Sequence, residues 1–353
     1  MTMHAIGIDS HKDSLAACLV DELGTPLDER TFSNDPGGHR ALFAWVAAGP
    51  EVTVGIEGSA SFGAPAARSL VAAGATVREV PPQLSRRERI RTRRAGKSDP
   101  GDALAIARVT LRETDLPPVR LLDRTLELKL LVEAREDLVA EQTRVRNRVH
   151  ADLRTLLPGY GAVAANLTAV RHQRMVGRLL RRRDGVQAEL ARARLARLRR
   201  LATEIGELTD RLTERVAGHP LLTLPGVGVL VAAKLIGETG DIGRFRSTDA
   251  FAALAGVAPI PASSGQTQHL RLNRGGNRQL NRALYMIALV QASHDGAGRD
   301  YIAKKRAEGK IRLAVVLNAG LHGWTPSQAA PSRDPRSLGE EDAPRSAGVA
   351  RTA

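Results

Sequence analysis

Two carboxylates stand at the ends of two short β-branched runs: Asp9 closes AIGID and Glu57 closes VTVGIE. Each run reads as a buried strand, so each delivers an acid at its C-terminal end. Two further acids, Asp99 and Asp102, flank Pro100 in KSDPGDALAIA. Proline suits the first turn of a helix, and a spacing of three puts both side chains on one face. Four carboxylates that meet repel one another unless a cation lies among them, and divalent magnesium or manganese takes oxygen ligands by preference. The natural chemistry of such a set is two-metal phosphodiester cleavage. Taken singly, each acid reads more readily as a turn former or helix cap. The weight therefore lies on the set.

The elements between the acids decide whether they can meet. After Asp9, SHKDSLAACLVD is a second alternating run and PLDERTF a third, followed by a helix over 37–48 and then the run that ends at Glu57. SFGAPAARSLVAAG reads as a helix ending at Gly74, and ATVREV as a fifth strand before Pro81. Strand, strand, strand, helix, strand, with acids on the first and fourth strands, is the order of an RNase H-like nuclease fold. An α/β domain over 4–118 is predicted.

The chain has 353 residues and a formal charge of +14, enough for two or three domains, and a polyanionic partner is the simplest explanation of that charge. Aromatic residues make up only 3%, so phosphate contacts rather than base stacking must carry most of the affinity. Cys18 lies in a hydrophobic run and is the chain's one cysteine, which excludes a disulfide framework and reads as an inert buried thiol. With no signal peptide and no apolar run of membrane-spanning length, a soluble, intracellular protein is expected. Residues 86–97 hold six Arg and one Lys against one Glu, just before Asp99. Such a block is commonly a solvated surface; here its position favours a phosphate track into the acid cluster, with Arg91, Arg93, Arg94 and Lys97 as the contacts.

The middle of the chain, 119–217, reads as a basic helical region. Leu131, Leu138, Val145, Val149, Leu153 and Leu156 form one apolar stripe over 122–157, ended by Pro158 and Gly159. A second helix over about 188–217 carries Leu198, Leu201, Ile205, Leu208, Leu212 and Val216 as a coiled-coil seam. Residues 171–200 contain eleven Arg against Asp184 and Glu189, too basic for an ordinary bundle helix. An antiparallel hairpin within the chain and an oligomerisation arm with a nucleic-acid face both satisfy the pattern. Beyond it, a mainly helical domain over 218–310 is predicted. Its HPLLTLPGVGVLVAAKLIGETGD breaks at Pro225-Gly226-Val227-Gly228 like a helix-hairpin-helix, where Gly226 and Gly228 let backbone amides approach a phosphate; the plainer reading is a tight turn. Farther on, Ser263 and Ser264 precede Gly265 in a loop followed by Arg271, Arg274 and Arg278. A hydroxyl there could attack a phosphodiester whose developing charge the guanidinium groups stabilise.

GIDSHKD, GIEGSASFG, KSDPGDALAIA, LPGVGVLVAAKLIGETGDIGRF, AGVAPIPASSG and RLNRGGNRQLNRALYMIAL occur in that order. Together they resemble the bacterial insertion-sequence transposases of the IS one-ten family, over residues 5–310. The resemblance implies a RuvC-like domain whose DEDD tetrad falls on Asp9, Glu57, Asp99 and Asp102 and binds Mg2+ or Mn2+. It implies a C-terminal transposase domain whose loop serine, Ser264 with Ser263 as the alternative, links covalently to DNA. It further implies a homo-oligomer acting on element ends and target DNA in the bacterial cytoplasm, associated with the nucleoid when bound, and relatives that use an element-encoded guide RNA. A stand-alone structure-specific nuclease would need the tetrad without Ser264, and a catalytically dead binding remnant would need neither. After Lys310 the pattern departs: the last thirty or so residues are rich in Pro, Ser, Ala and Gly without apolar period, so disorder is expected over 323–353. The abruptness reads as a frameshifted or dispensable terminus.

Overall fold

The first strand, β1 (His4–Ser10), is buried along almost its whole length because both faces of its sheet are covered. It is followed by β2 (Ser14–Val20), β3 (Pro26–Ser33), α1 (Pro36–Ala48), β4 (Val52–Glu57), α2 (Ala64–Ala72), β5 (Thr76–Glu79), α3 (Pro82–Arg91) and α4 (Asp99–Arg112). The computed structural model describes residues 4–91, 99–119, 122–245, 247–261, 270–273 and 275–308. The strand order is β3-β2-β1-β4-β5. β2 runs antiparallel to both β1 and β3, whereas β4 runs parallel to both β1 and β5. This is the α/β, RNase H-like arrangement that the element order predicts.

Period-two alternation divides the sheet's two faces. Ile6, Ile8, Val54 and Ile56 pack with Leu42 and Val46 of α1 and Ala66 and Leu70 of α2. Ala5, Ala16 and Cys18 face Ala103, Leu104 and Ala107 of α4 on the other side. Glycines let α4 come close: a Cβ added at Gly7 would collide with the backbone of Ala103 and Ala107, and one at Gly55 with the Thr110 hydroxyl. Cys18 is fully buried, and burial, assisted by the charge of Glu29, pushes its thiol up to about 12, in keeping with an inert side chain.

The chain divides into two compact units, Met1–Leu126 and Glu127–Ala353. The second contains α5 (Arg124–Leu156), α6 (Gly161–Ala164), α7 (Val170–Leu180), α8 (Val186–Val216), α9 (Val229–Thr239), α10 (Thr248–Leu254), β6 (Pro259–Pro261), β7 (Leu270–Leu272), α11 (Arg278–Ser293) and α12 (Ala297–Ala307). Leu128, Leu131 and Val132 near the start of α5 pack with Leu212 and Val216 near the end of α8, while Val149 and Leu153 meet Leu195 and Leu198. The two helices therefore pair in opposite directions within one chain. The arginine-rich stretch 171–200 is divided between α7, the turn after it and α8, and most of its arginines, Arg171, Arg174, Arg178, Arg181, Arg182, Arg183 and Arg200 among them, are exposed. Several also make bonds within the unit: Arg194 binds Asp152 at 2.6 Å, Arg197 binds Glu141 and Glu204, each at 2.8 Å, and Arg199 donates to the Gln173 carbonyl. Those partners lie on other turns or another helix, where composition does not reveal them.

Among the described residues no helix is long and apolar enough to cross a membrane. The expectation for 323–353 falls outside the described residues.

Candidate catalytic centre

Asp9 and Glu57 are register partners at the C-terminal ends of adjacent parallel strands, β1 and β4. Alternation carries them to the face that α4 covers, since Ile8 and Ile56 beside them point to the other one. The Ser10 hydroxyl donates to the Glu57 carbonyl at 2.7 Å and ties the two strand ends. Asp102 stands in the first turn of α4 and is 4% exposed, beside Ala103 where the helix touches Gly7. Asp9 is 9% exposed. Thus two acids from strands and one from the helix lie on one side of the sheet, at one end of β1 and β4. Asp99 opens α4, as its spacing from Pro100 predicts.

Each of the three described carboxylates has a partner. Asp9 Oδ2 lies 3.2 Å from His11 Nε2, Glu57 Oε2 accepts a short bond from the Ser85 hydroxyl at 2.5 Å, and Asp102 Oδ1 lies 2.8 Å from an Arg89 guanidinium nitrogen. Among the described residues no three His, Cys, Asp or Glu side chains are gathered closely enough to hold a metal ion; the Asp99 side chain is not among those described. A carboxylate withdrawn from water requires a hydrogen bond or a positive charge, and here the protein's own donors supply both.

Three such partners and one further strand-end acid escaped the sequence reading. Arg89 belongs to the basic run 86–97, yet it serves Asp102 and is more than a solvated cation. His11 and Ser85 carry no spacing signal. Glu79, the last residue of β5, is a third strand-end acid, and that position was a signal available in ATVREV. It pairs across the sheet with Ile56, and its Oε2 accepts from the Ser59 amide at 3.1 Å. Burial, with the nearby charge of Glu57 adding to it, pushes the Glu79 carboxyl up to about 7 against the lowering effect of those backbone amides.

The predicted phosphate contacts are spread through the chain. Arg91 ends α3, exposed and 3.8 Å from Glu88, whereas Arg93, Arg94 and Lys97 lie outside the described residues. Gly226 has φ +85, and an added Cβ would lie 3.0 Å from Val290 Cβ and 3.1 Å from the Ile287 carbonyl, so its close approach is to α11. Gly228 caps α9 with open space around its Cα. Only one 3-10 turn, Pro220–Thr223, precedes this turn. Ser263, Ser264 and Arg274 lie outside the described residues. Strands β6 and β7, which bracket the serines in sequence, pair antiparallel, Ile260 opposite Arg271, and Arg278 is exposed at the start of α11.

Known proteins match this chain over most of its length. A family model described as "Transposase", of the DEDD IS110 type, matches residues 6–158, and one described as "Transposase IS116/IS110/IS902 family" matches residues 218–303. The 42 kDa protein of insertion element IS900 from Mycobacterium paratuberculosis is 31% identical, over 88% of this chain and 91% of its own. The 43.6 kDa protein of insertion element IS110 from Streptomyces coelicolor is 30% identical, over 88% and 90%. A structure of T. thermophilus RuvC with a Holliday junction substrate aligns over 30% of this chain and 90% of its own, at 19% identity and a TM-score of 0.25; the fold is assigned on strand order and not on that likeness.

Proposed function

We propose, because this chain belongs to the IS116/IS110/IS902 family of transposases, enzymes that cleave and rejoin DNA, that it excises and inserts an insertion sequence through a divalent-metal centre at Asp9, Glu57, Asp99 and Asp102 and a serine nucleophile at Ser264. The observation that carries the reading is the register pairing of Asp9 with Glu57 on the sheet face that bears the buried Asp102. The donor set fits a hard cation: it is all oxygen, and Asp102 already draws a guanidinium to it. A bound Mg2+ or Mn2+ would supply positive charge against the negative charge that a phosphodiester develops during cleavage.

The chain's own residues do the rest. Ser85 and His11 orient Glu57 and Asp9, and Arg89 compensates Asp102. The exposed arginines of α3, with Arg93, Arg94 and Lys97, hold the phosphate backbone; the second unit has its own phosphate contacts in Arg271, Arg274, Arg278 and the Gly228 end of the Gly226–Gly228 turn. The Ser264 oxygen bonds to phosphorus as a bridging P–O bond breaks, and the proton passes to the released sugar hydroxyl; the reverse exchange rejoins strands. DNA ends and target are the substrates, in a homo-oligomer, with an element-encoded RNA as a candidate guide.

The decisive experiment traps a covalent protein–DNA adduct with the cognate element ends. Ser264→Ala eliminates the adduct and Ser263→Ala does not. An adduct that survives the double variant refutes the nucleophile, and one lost with Ser263→Ala alone moves it by one residue. Asp9→Ala or Asp102→Asn abolishes excision while DNA retention stays largely intact. Wild-type excision in both variants, with undiminished magnesium binding by calorimetry, refutes the metal centre.

A further inference from the structure

We propose that Asn34 is a positioning residue for the Asp9–Glu57 pair; this inference rests on the metal reading given above. Asn34 lies between β3 and α1, remote in sequence from both acids. Its Nδ2 donates to the His11 carbonyl at 2.8 Å and to the Phe62 carbonyl at 2.9 Å. His11 opens the loop that follows β1, and Phe62 lies in the turn 58–63 that leaves Glu57. One side chain thus joins the two loops that extend the acid-bearing strands, just beyond the last ladder pair, Asp9 with Glu57.

The amide has one workable orientation. Two carbonyls demand both hydrogens of the NH2 group, so the oxygen must face the third neighbour, His39 Nε2, at 2.8 Å. An amide oxygen only accepts, so His39 donates from Nε2. His39 is itself 9% exposed on α1, which holds the donor in place. The backbone N–H of Asn34 donates to the Asp13 carbonyl at 3.1 Å, and Asp35, the next residue, caps α1 by accepting from the Gly38 backbone N–H. The backbone of Asn34 is therefore anchored on both sides, and its side chain can transmit position. Within each loop the chain closes on itself, through His11 N to Ser14 O and through Ser61 N and Gly63 N to Gly58 O. Asn34 supplies the bond between them, alongside the Ser10–Glu57 tie. Asn34 touches neither carboxylate; it holds the backbone two residues past Asp9 and five past Glu57, and groups outside the ligand shell that fix ligand position govern ion affinity.

The test uses the full chain and Mn2+ alone, with free ion read by electron paramagnetic resonance, beside melting curves and amide hydrogen exchange. Asn34→Asp keeps the shape and removes both donors; it is expected to weaken Mn2+ binding about tenfold or more and to speed exchange at 10–13 and 58–63, with DNA retention unchanged. His39→Gln, which keeps an N–H donor, is expected to bind Mn2+ more tightly than His39→Leu. If Asn34→Asp does not fold, the His39→Leu variant carries the same comparison. Wild-type affinity in Asn34→Asp and His39→Leu, while Asp9→Ala has lost the ion, overturns this inference and spares the metal reading. Undiminished binding in Asp9→Ala overturns both.

Discussion

Gly7→Ala tests how the centre is assembled. Gly7 is the point on β1 where α4 rests: a Cβ there would overlap the Ala103 carbonyl and the Ala107 amide and lie 2.8 Å from Ala107 Cα, where ordinary contact begins near 3.4 Å. All three atoms are backbone, so no side chain can turn aside. The overlapping carbonyl oxygen and amide nitrogen lie nearer than the Cα and set the requirement, so the helix must retreat by about 1 Å, and Asp102 moves with it. Replacing a glycine would by itself stabilise the fold by about 0.4–1 kcal/mol through the unfolded chain. Overpacking costs about 1–3 kcal/mol and decides the sign, because the contact is with backbone on both sides. A catalytic group tolerates only about 0.5 Å of displacement, and a 1 Å error can cost about a hundredfold in rate. The expected result is a lower melting midpoint for the full chain, faster amide exchange in β1 and α4, and DNA cleavage reduced on the order of tenfold to a hundredfold. Gly206→Ala on α8 is the control: open space surrounds it, so the change should stabilise by about 0.5–1 kcal/mol. Wild-type melting and cleavage in Gly7→Ala would refute the claim that close helix–strand contact sets the position of Asp102.

Other perturbations separate packing from chemistry. Because the Glu79 carboxyl is raised to about 7 from 4.5, the folded protein keeps a proton that the unfolded chain releases, and stability declines between those two pH values and levels off above them. Glu79→Gln should remove that slope in chelator-treated protein, with a gain at pH 8 on the order of 1–2 kcal/mol after solvent screening and little change at pH 4; equal slopes in urea titrations of both proteins would refute the burial argument. Gly226→Ala should destabilise the second unit by about 1–2 kcal/mol through its left-handed φ, seen in exchange at α11. Gly228→Ala should leave stability alone and, if its amide meets a phosphate, weaken DNA binding. The log of DNA affinity should fall linearly with log salt, at about 0.9 per phosphate neutralised, and a flat titration would contradict phosphate-dominated binding.

Much of the first unit was legible from local rules. The runs ending at Asp9 and Glu57 predicted two strands, and period two requires that acids adjacent to Ile8 and Ile56 face away from the core those isoleucines enter. The helix start at Asp99 followed from Pro100, whereas the pairing of the two long helices shows only in the matched layers from Leu128 against Val216 to Leu153 against Leu195. An apolar stripe states that a helix is covered on one side; it carries no information about which surface covers it.

The composition of 171–200 is incomplete for a related reason. A count of charge treats arginines as a surface, whereas Arg194 and Arg197 reach Asp152 and Glu141, 42 and 56 residues away in sequence. The same separation conceals the environment of the centre: Ser85 lies 28 residues from Glu57 and Asn34 28 from Phe62. The sequence by itself determined which residues are acidic, which sheet face Asp9 and Glu57 take and where α4 begins, because propensity, alternation and capping act over a few neighbouring residues. Tertiary structure alone decided that Arg89 answers Asp102, that Glu79 holds a raised carboxyl and that one asparagine binds two loops, because burial and hydrogen bonding depend on distances between segments that the chain brings together only when the sheet and α4 pack.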